Sequence, residues 1–343
     1  MLLLRPKREV PDDDAVMAAA RMLISGGVVA FPTETVYGLG ACFDQPAAVR
    51  KIYLAKGRPA DNPLIAHISN RDQLDLLVAQ WPPLAERLAS AFWPGPLTLV
   101  LPRIPAVPDE VTAGLETVAV RMPDHPLALA LITAAGRPLV APSANRSGRP
   151  SPTSANHVVA DLADSIDAVL DGGECGVGLE STVIGIDLDR VVIFRPGAVT
   201  REMIESVVGR DIPVAYAEGS DTPPSPGMKY VHYSPEARVY LVISGADQAT
   251  TLARLAQELA LAGETVGVLA HDDTLAELPP GLVRLSLGPR EDLSCAAHLL
   301  YAQLRLADQA GLTTLLVESV ADRGVGTALL NRLRKAAYMI IEG

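Results

Sequence analysis

The sequence predicts an α/β protein in two parts: a twisted mixed sheet with flanking helices, then a smaller Rossmann-like α/β domain joined to it by a Pro/Gly-rich linker. Three observations carry this. The chain has 343 residues, whereas a single hydrophobic core stops growing at roughly 250–300 residues. Short apolar runs alternate with stretches of helical period along the chain, the pattern of strands separated by helices. Around residues 210–236 that pattern gives way to Pro213, Pro223, Pro224, Pro226 and Pro235 interleaved with Gly219 and Gly227, and such chain cannot continue a hydrogen-bonded ladder. The expected divisions are 1–209, a linker or lid at 210–236, and 237–343.

Residues 14–27 open with acidic side chains, continue as Ala, Met, Leu and Ile at helical spacing and stop at Gly26-Gly27, which predicts the first helix. Residues 28–31 read as a buried strand ending at Pro32, and a polar cluster just past a strand's carboxyl end is a common ligand position. Further strands are expected at 64–68, 97–101, 118–122, 139–141, 169–170, 182–186 and 191–194. Helices are expected at 46–55, 74–79, 83–92, 126–135, 154–163 and 201–208. Beyond the linker, strands at 239–243, 265–269, 283–286 and 314–317 alternate with helices at 246–262 and 292–310, about four β-α units.

Composition narrows the function. Hydrophobic residues make 49% of the chain and charged residues 20%, a globular balance. Aromatics make only 4%, too few for an open platform stacking single-stranded nucleic acid. The net charge is −11, and both the first 209 residues (18 basic, 24 acidic) and the remainder (11 and 16) are acidic. A general polyanion-binding surface is therefore not expected, and any phosphate site must be gathered locally by folding. Cys42, Cys175 and Cys295 are scattered, with no zinc spacing, which fits a reduced cytoplasmic setting and no metal held by the chain itself. No apolar run is long enough to span a membrane. G-x-x-x-x-G-K-[ST] is missing, and Gly176-Val-Gly178 and Gly324-Val-Gly326 lack the third glycine of G-x-G-x-x-G.

Five segments carry chemistry. Phe31-Pro-Thr-Glu-Thr-Val-Tyr-Gly-Leu-Gly40 sets two hydroxyls and a carboxylate on a loop beside a glycine; a turn with satisfied local hydrogen bonds is the competing explanation. Lys56-Gly-Arg58, followed by Asn62 and His67, offers two cations to a triphosphate or bicarbonate, although cations also favour a helix C-terminus for its dipole. Arg121 ends an apolar strand that begins near Thr117, where a guanidinium must meet a carboxylate of the protein or of a ligand. The strand 139–141 ends at Ala141 and runs into Ser143, Asn145, Arg146, Arg149 and Ser151, neutral donors suited to phosphate oxygens or ribose. Glu180-Ser181-Thr182 opens a strand and Arg195 closes the next, so both can face one pocket.

Taken together and in this order, P-T-E-T-x-Y-G-L, K-x-R, S-x-N and E-S-T-x-I resemble the YrdC-like family, the threonylcarbamoyl-adenylate synthases, over about residues 14–208. The rest resembles the long form of that enzyme, with a linker motif at 225–235 and a closing helix at 326–337. The resemblance implies L-threonine contacts at Thr35, His67, Arg121, Ala141 (through its backbone) and Ser181. It implies ATP contacts at Arg58, Asn62, Thr117, Ser143, Asn145, Ser151, Arg195 and Tyr233, with Lys56 and Arg58 as the catalytic cations.

The implied reaction joins L-threonine, bicarbonate and ATP into threonylcarbamoyl-AMP and pyrophosphate, for threonylcarbamoyladenosine in tRNA that reads ANN codons. Mg²⁺ is expected on the ATP phosphates, a tRNA threonylcarbamoyltransferase complex as the consumer, and contact with tRNA itself is left open. Bicarbonate, ATP and the threonine N-carboxylate are all anionic, so converging cations rather than a covalent nucleophile meet the need. Tyr230, His232 and Tyr233 are expected to close over the pocket. A double-stranded RNA or tRNA binding module is the alternative, disfavoured by the acidic totals. A hydrogenase-maturation relative would carry zinc-binding cysteines that this sequence lacks.

Overall fold

The computed structural model describes residues 1–187, 190–209, 211–217, 233–243 and 247–342. The chain divides into two compact units, Met1–Ser147 with Ser151–Gly176 and Glu180–Lys229, and Gly148–Pro150 with Val177–Leu179 and Tyr230–Gly343.

The first unit runs β1 (Leu2–Leu4), α1 (Asp14–Ile24), β2 (Val29–Phe31), β3 (Gly38–Cys42), α2 (Pro46–Lys56), β4 (Ile65–His67), α3 (Pro83–Phe92), β5 (Leu97–Pro102), α4 (Asp109–Thr112), β6 (Thr117–Arg121), α5 (Pro126–Ala135), β7 (Leu139–Ala141), α6 (Ala155–Leu162), β8 (Ala168–Leu170), β9 (Thr182–Asp187), β10 (Arg190–Arg195), α7 (Arg201–Val208) and β11 (Val214–Tyr216). Among the described residues its eleven strands form one mixed sheet in the order β1-β8-β2-β3-β7-β4-β6-β5-β9-β10-β11. Helix limits follow from capping: Asp13 accepts from Ala15 N at 2.9 Å, and Pro46, Pro83 and Pro126 occupy first turns where their missing N–H has no partner to lose.

The apolar faces of α1 and α5 pack with Val29, Phe31, Leu139, Ala141, Ala168 and Leu170, covering one side of β2, β3, β7 and β8. A second, larger cluster involves α2, α3, α6 and α7. Farther along the sheet a small third cluster, Ile65, Val100, Ala119 and Val183 with half-buried Phe194, contains no helix residue. It becomes the floor of the candidate site.

The second unit contains β12 (Arg238–Ile243), α8 (Gln248–Leu261), β13 (Val266–Ala270), α9 (Asp272–Glu277), β14 (Val283–Ser286), α10 (Leu293–Gln309), β15 (Thr314–Glu318), α11 (Val325–Ala336) and β16 (Met339–Glu342). Its strands pair in parallel in the order β14-β13-β15-β12-β16, as the β-α alternation predicts.

The expected helix at 74–79 is instead a 3-10 turn at Arg71–Leu76, because Asn70 caps Gln73 N at 3.3 Å and Val78 is bridged to Arg103. Strand β3 lies in what reads as loop. Both its faces are buried, so it lacks alternation, and a Cβ at Gly40 would come within 2.7 Å of the Phe31 ring. Strands β1, β11 and β16 and helices α4 and α9 are too short for periodicity to mark. Of the expected lid, Tyr230 and His232 lie outside the described residues. Among the described residues no helix is long and apolar enough to cross a membrane.

Gly197 is a point of close backbone approach: a Cβ there would lie 2.4 Å from Thr182 N and 2.6 Å from Glu180 O. Since neither atom can swing aside, Gly197→Ala is expected to cost about 1–3 kcal/mol, read as a lower urea midpoint. An unchanged midpoint would show that residues 180–182 yield.

Candidate functional site

Strand register builds the site. Parallel pairing of β4 with β6 sets Ile65 opposite Ala119 and His67 opposite Arg121. Antiparallel β5 sets Val100 opposite Ala119 and Pro102 opposite Thr117, and β9 sets Val183 opposite Thr98. Side chains alternate across a sheet, so Thr117, Ala119 and Arg121 share one face with Ile65, His67, Thr98, Val100 and Val183. That face has an apolar floor, with polar groups at its two ends. Thr117 and Arg121 are four residues apart on β6, roughly 13 Å at about 3.3 Å per residue, a span suited to an amino acid beside a nucleotide.

At one end Arg121 is 3% exposed. Its Nη1 donates to Thr35 Oγ1 at 2.9 Å and its Nη2 pairs with Glu34 Oε2. Thr33 holds the loop in shape: its Oγ1 donates to Val36 O at 2.7 Å, accepts from Thr35 N at 3.2 Å and lies 2.8 Å from Thr35 Oγ1. Arg121 Nε and Glu34 Oε1 are buried without a hydrogen-bond partner, which is costly unless a ligand supplies one. His67 Nδ1 sits 3.0 Å from Ile65 O, and its ring meets Phe31 edge-on at 5.9 Å. Burial, and secondly the Arg121 charge, push its pKa down to about 3, so the imidazole is neutral at physiological pH. Next along, Ser181 Oγ lies 2.8 Å from Thr98 Oγ1, and Arg195 Nη2 donates to Ser181 O at 3.0 Å and Ser181 Oγ at 3.1 Å.

The other group starts where α2 ends. Gly57 takes the left-handed conformation, φ 61°, which turns the chain between Lys56 and Arg58. Lys56 is 4% exposed, and its Nζ donates to Ser143 O at 2.5 Å, to Asn145 O and to Asn145 Oδ1 at 3.4 Å. The lysine thus braces the loop after β7 as well as charging it. Ser143 Oγ donates to Asn145 Oδ1 at 2.6 Å. Arg58 donates to Asn62 O at 3.2 Å and Pro63 O at 3.0 Å, while Asn62 Oδ1 is buried without a hydrogen-bond partner. Ser151 Oγ donates to Glu180 Oε1 at 2.5 Å.

Of the residues singled out by sequence, one sheet face carries Thr117, His67 and Arg121, with Thr35 bonded to Arg121. Ala141 pairs with Ile65, and Ser143 is bridged to Gly38. Lys56, Ser143 and Asn145 form one bonded group, Arg58 and Asn62 another. Arg195, expected on the nucleotide, is bonded to Ser181, expected on threonine. Tyr233 belongs to the second unit, where it stacks on Tyr301 at 5.5 Å beneath the Arg332 guanidinium. Sequence reasoning gave no role to Thr33, Glu34, Thr98 or Glu180. The signal for Glu34 was present: a carboxylate between two hydroxyls at the end of a buried strand needs a cation.

Known proteins resemble this chain along both of its parts. Residues 21–197 match a family model described as "Telomere recombination" (Sua5_yciO_yrdC), and residues 199–338 match "Threonylcarbamoyl-AMP synthase, C-terminal domain" (Sua5_C). The chain is 47% identical to a threonylcarbamoyl-AMP synthase of Bacillus subtilis strain 168, over 95% of this chain and 94% of that one. It is 45% identical to the enzyme of that name from Pyrococcus abyssi strain GE5/Orsay, over the full length of both. A crystal structure of P. abyssi Sua5 complexed with L-threonine superposes with a TM-score of 0.91 at 44% identity, covering 100% of this chain and 99% of that one.

His67 provides a pH test. Its folded pKa lies below the ordinary 6.5, so the unfolded chain binds the proton more readily. The associated stability is complete above pH 6.5 and falls as pH drops toward 3, at up to about 1.4 kcal/mol per pH unit. Between pH 7.5 and 5, wild type is expected to lose roughly 2 kcal/mol more than His67→Gln in urea unfolding. Equal losses would place the acid sensitivity elsewhere.

Proposed function

The chain belongs to the Sua5–YciO–YrdC family, and from that premise we propose that it is an L-threonylcarbamoyladenylate synthase (EC 2.7.7.87), a nucleotidyltransferase. It condenses L-threonine, bicarbonate and ATP into threonylcarbamoyl-AMP and pyrophosphate. The observation that supports this most is the single sheet face with a buried arginine, carboxylate and neutral histidine at one end and Lys56, Arg58 and the Ser143–Asn145 loop toward the other.

In this mechanism Arg121 receives the threonine carboxylate, and Thr35, neutral His67, Ser181 and the Ala141 backbone surround the rest of the amino acid. Neutrality matters at His67: a second cation beside Arg121 would favour anions generally, whereas an imidazole can accept as well as donate. Arg58, Asn62, Thr117, Ser143, Asn145 and Ser151 take the nucleotide, and Asn62 Oδ1, an acceptor lacking a partner in the protein, suits a nucleotide donor. Arg195 bridges the two groups.

The threonine nitrogen attacks the bicarbonate carbon, and the resulting N-carboxylate attacks the α-phosphate and expels pyrophosphate. Lys56, Arg58 and Arg195 hold the anions together and offset the charge that builds on the phosphate oxygens. Mg²⁺ enters as part of the substrate, bound to ATP, and would shield the triphosphate. Glu180 is engaged with Ser151, and the charge of Glu34 is offset by Arg121 through one oxygen, which favours the phosphates as the metal's ligands. The product supplies the threonylcarbamoyl group for adenosine in tRNA reading ANN codons, through a separate tRNA threonylcarbamoyltransferase complex in the cytoplasm.

Pyrophosphate release is expected only when L-threonine, bicarbonate and ATP are all present; release that ignores threonine would exclude this function. Arg121→Lys keeps a cation beside Glu34 but loses the planar fork. It should raise KM for threonine about 10-fold or more, the equivalent of a lost charged hydrogen bond, with little change in KM for ATP. Arg58→Ala should chiefly lower kcat.

A further inference from the structure

The Arg121–Glu34 ion pair is incomplete in a specific way. A pair built only for stability would close its fork, with two parallel N–H···O contacts. Here Glu34 gives Oε2 to Arg121 Nη2, while Glu34 Oε1 and Arg121 Nε stay buried without hydrogen-bond partners. One is an acceptor carrying negative charge, the other a donor carrying positive charge. Their natural complement is a zwitterion, whose carboxylate meets the guanidinium and whose ammonium meets the carboxylate. The neighbouring hydroxyls are neutral, already engaged, and too weakly basic to take the ammonium proton. Thr35 Oγ1 already receives an Arg121 N–H, Thr33 Oγ1 is committed to Val36, and Ser181 Oγ receives Arg195.

Resting on the threonine reading of the site, the geometry points to Glu34 as the residue that binds the α-ammonium of L-threonine and takes a proton from it. An ammonium has no lone pair and cannot attack carbon. When one N–H proton passes to Glu34 Oε1, the amine is freed and the carboxylate becomes a carboxylic acid. The amine nitrogen then bonds to the bicarbonate carbon, the C–OH bond breaks, and the hydroxide leaves with a second nitrogen proton as water. The result is the N-carboxylate that reacts with ATP. The proton on Glu34 returns to solvent when the product departs. Glu34 also sets specificity, because an acid lacking the amine would face an unpaired carboxylate.

The test compares L-threonine with (R)-3-hydroxybutyrate, which is threonine without its amino group, by calorimetry on the full-length protein. Wild type is expected to bind threonine at least 30-fold more tightly than the deaminated acid; equal affinities would overturn the proposal without any variant. Glu34→Gln keeps the shape and an oxygen for Arg121, and should weaken threonine by about 30-fold while leaving (R)-3-hydroxybutyrate unchanged or tighter. A parallel loss of both ligands at wild-type Tm would make Glu34 a support for Arg121 alone and overturn the assignment. Steady-state turnover gives a second readout. In Glu34→Gln, kcat should rise with pH above neutrality as free amine forms in solution, whereas a pH profile parallel to wild type would count against proton transfer. Failure of wild type to bind threonine at all would remove the functional reading itself.

Discussion

The pairing of β4 with its two neighbours is the constraint on which the site depends. This three-residue strand is parallel to β6 on one side and antiparallel to β7 on the other. A slip of one residue against β6 would turn His67 to the opposite face and leave Arg121 beside an apolar side chain. Burial makes such a slip costly, since Ile65 would leave the floor it forms with Val100, Ala119 and Val183. The same apolar packing that fixes the register thus aims the polar groups. The short strand suffices because it is paired along both edges.

Preorganisation of the charges follows from that frame. Lys56, Arg121 and Arg195 are each at least nine-tenths buried, where an unsolvated cation is unstable without hydrogen bonds. The protein supplies those bonds largely from neutral oxygens: the carbonyls of Ser143 and Asn145 for Lys56, that of Ser181 for Arg195, and the Thr35 hydroxyl for Arg121. Neutral acceptors orient a cation without cancelling its charge, so the field is retained for anionic substrates. Carboxylates are used sparingly, and Glu34 is bonded through one oxygen.

Much of this architecture was legible from sequence. Helix Pro126–Ala135, with proline in its first turn and glycine after its last, has its expected limits, and Pro46–Lys56 runs one residue past its expected end. The buried strands were found because Val, Ile and Leu runs end at Pro, Gly or polar clusters. Strand order was not legible: nothing local says that β7 inserts between β3 and β4, since that depends on long-range packing. Glycine-rich β3 escaped because its small residues serve the Phe31 ring rather than a pattern. At the site, motifs named the residues but not their bonds. Arg121 could equally have met a protein carboxylate or a ligand carboxylate, and the structure gives it a protein partner with one donor still open. Lys56 looked like a bare cation, since a backbone brace leaves no trace in side-chain chemistry.

The contrast between an acidic molecule and a locally cationic site bears on what reaches it. The chain carries a net charge of −11, and screening limits exposed charges to a range of about 8–10 Å at physiological salt. A small anion that enters the site is governed by Lys56, Arg58, Arg121 and Arg195, which outnumber Glu34 and Glu180. A polynucleotide spans many such lengths, and its many phosphates would lie against surface that is acidic in both halves of the sequence. The charge distribution therefore favours small anions over a polynucleotide by range rather than by total.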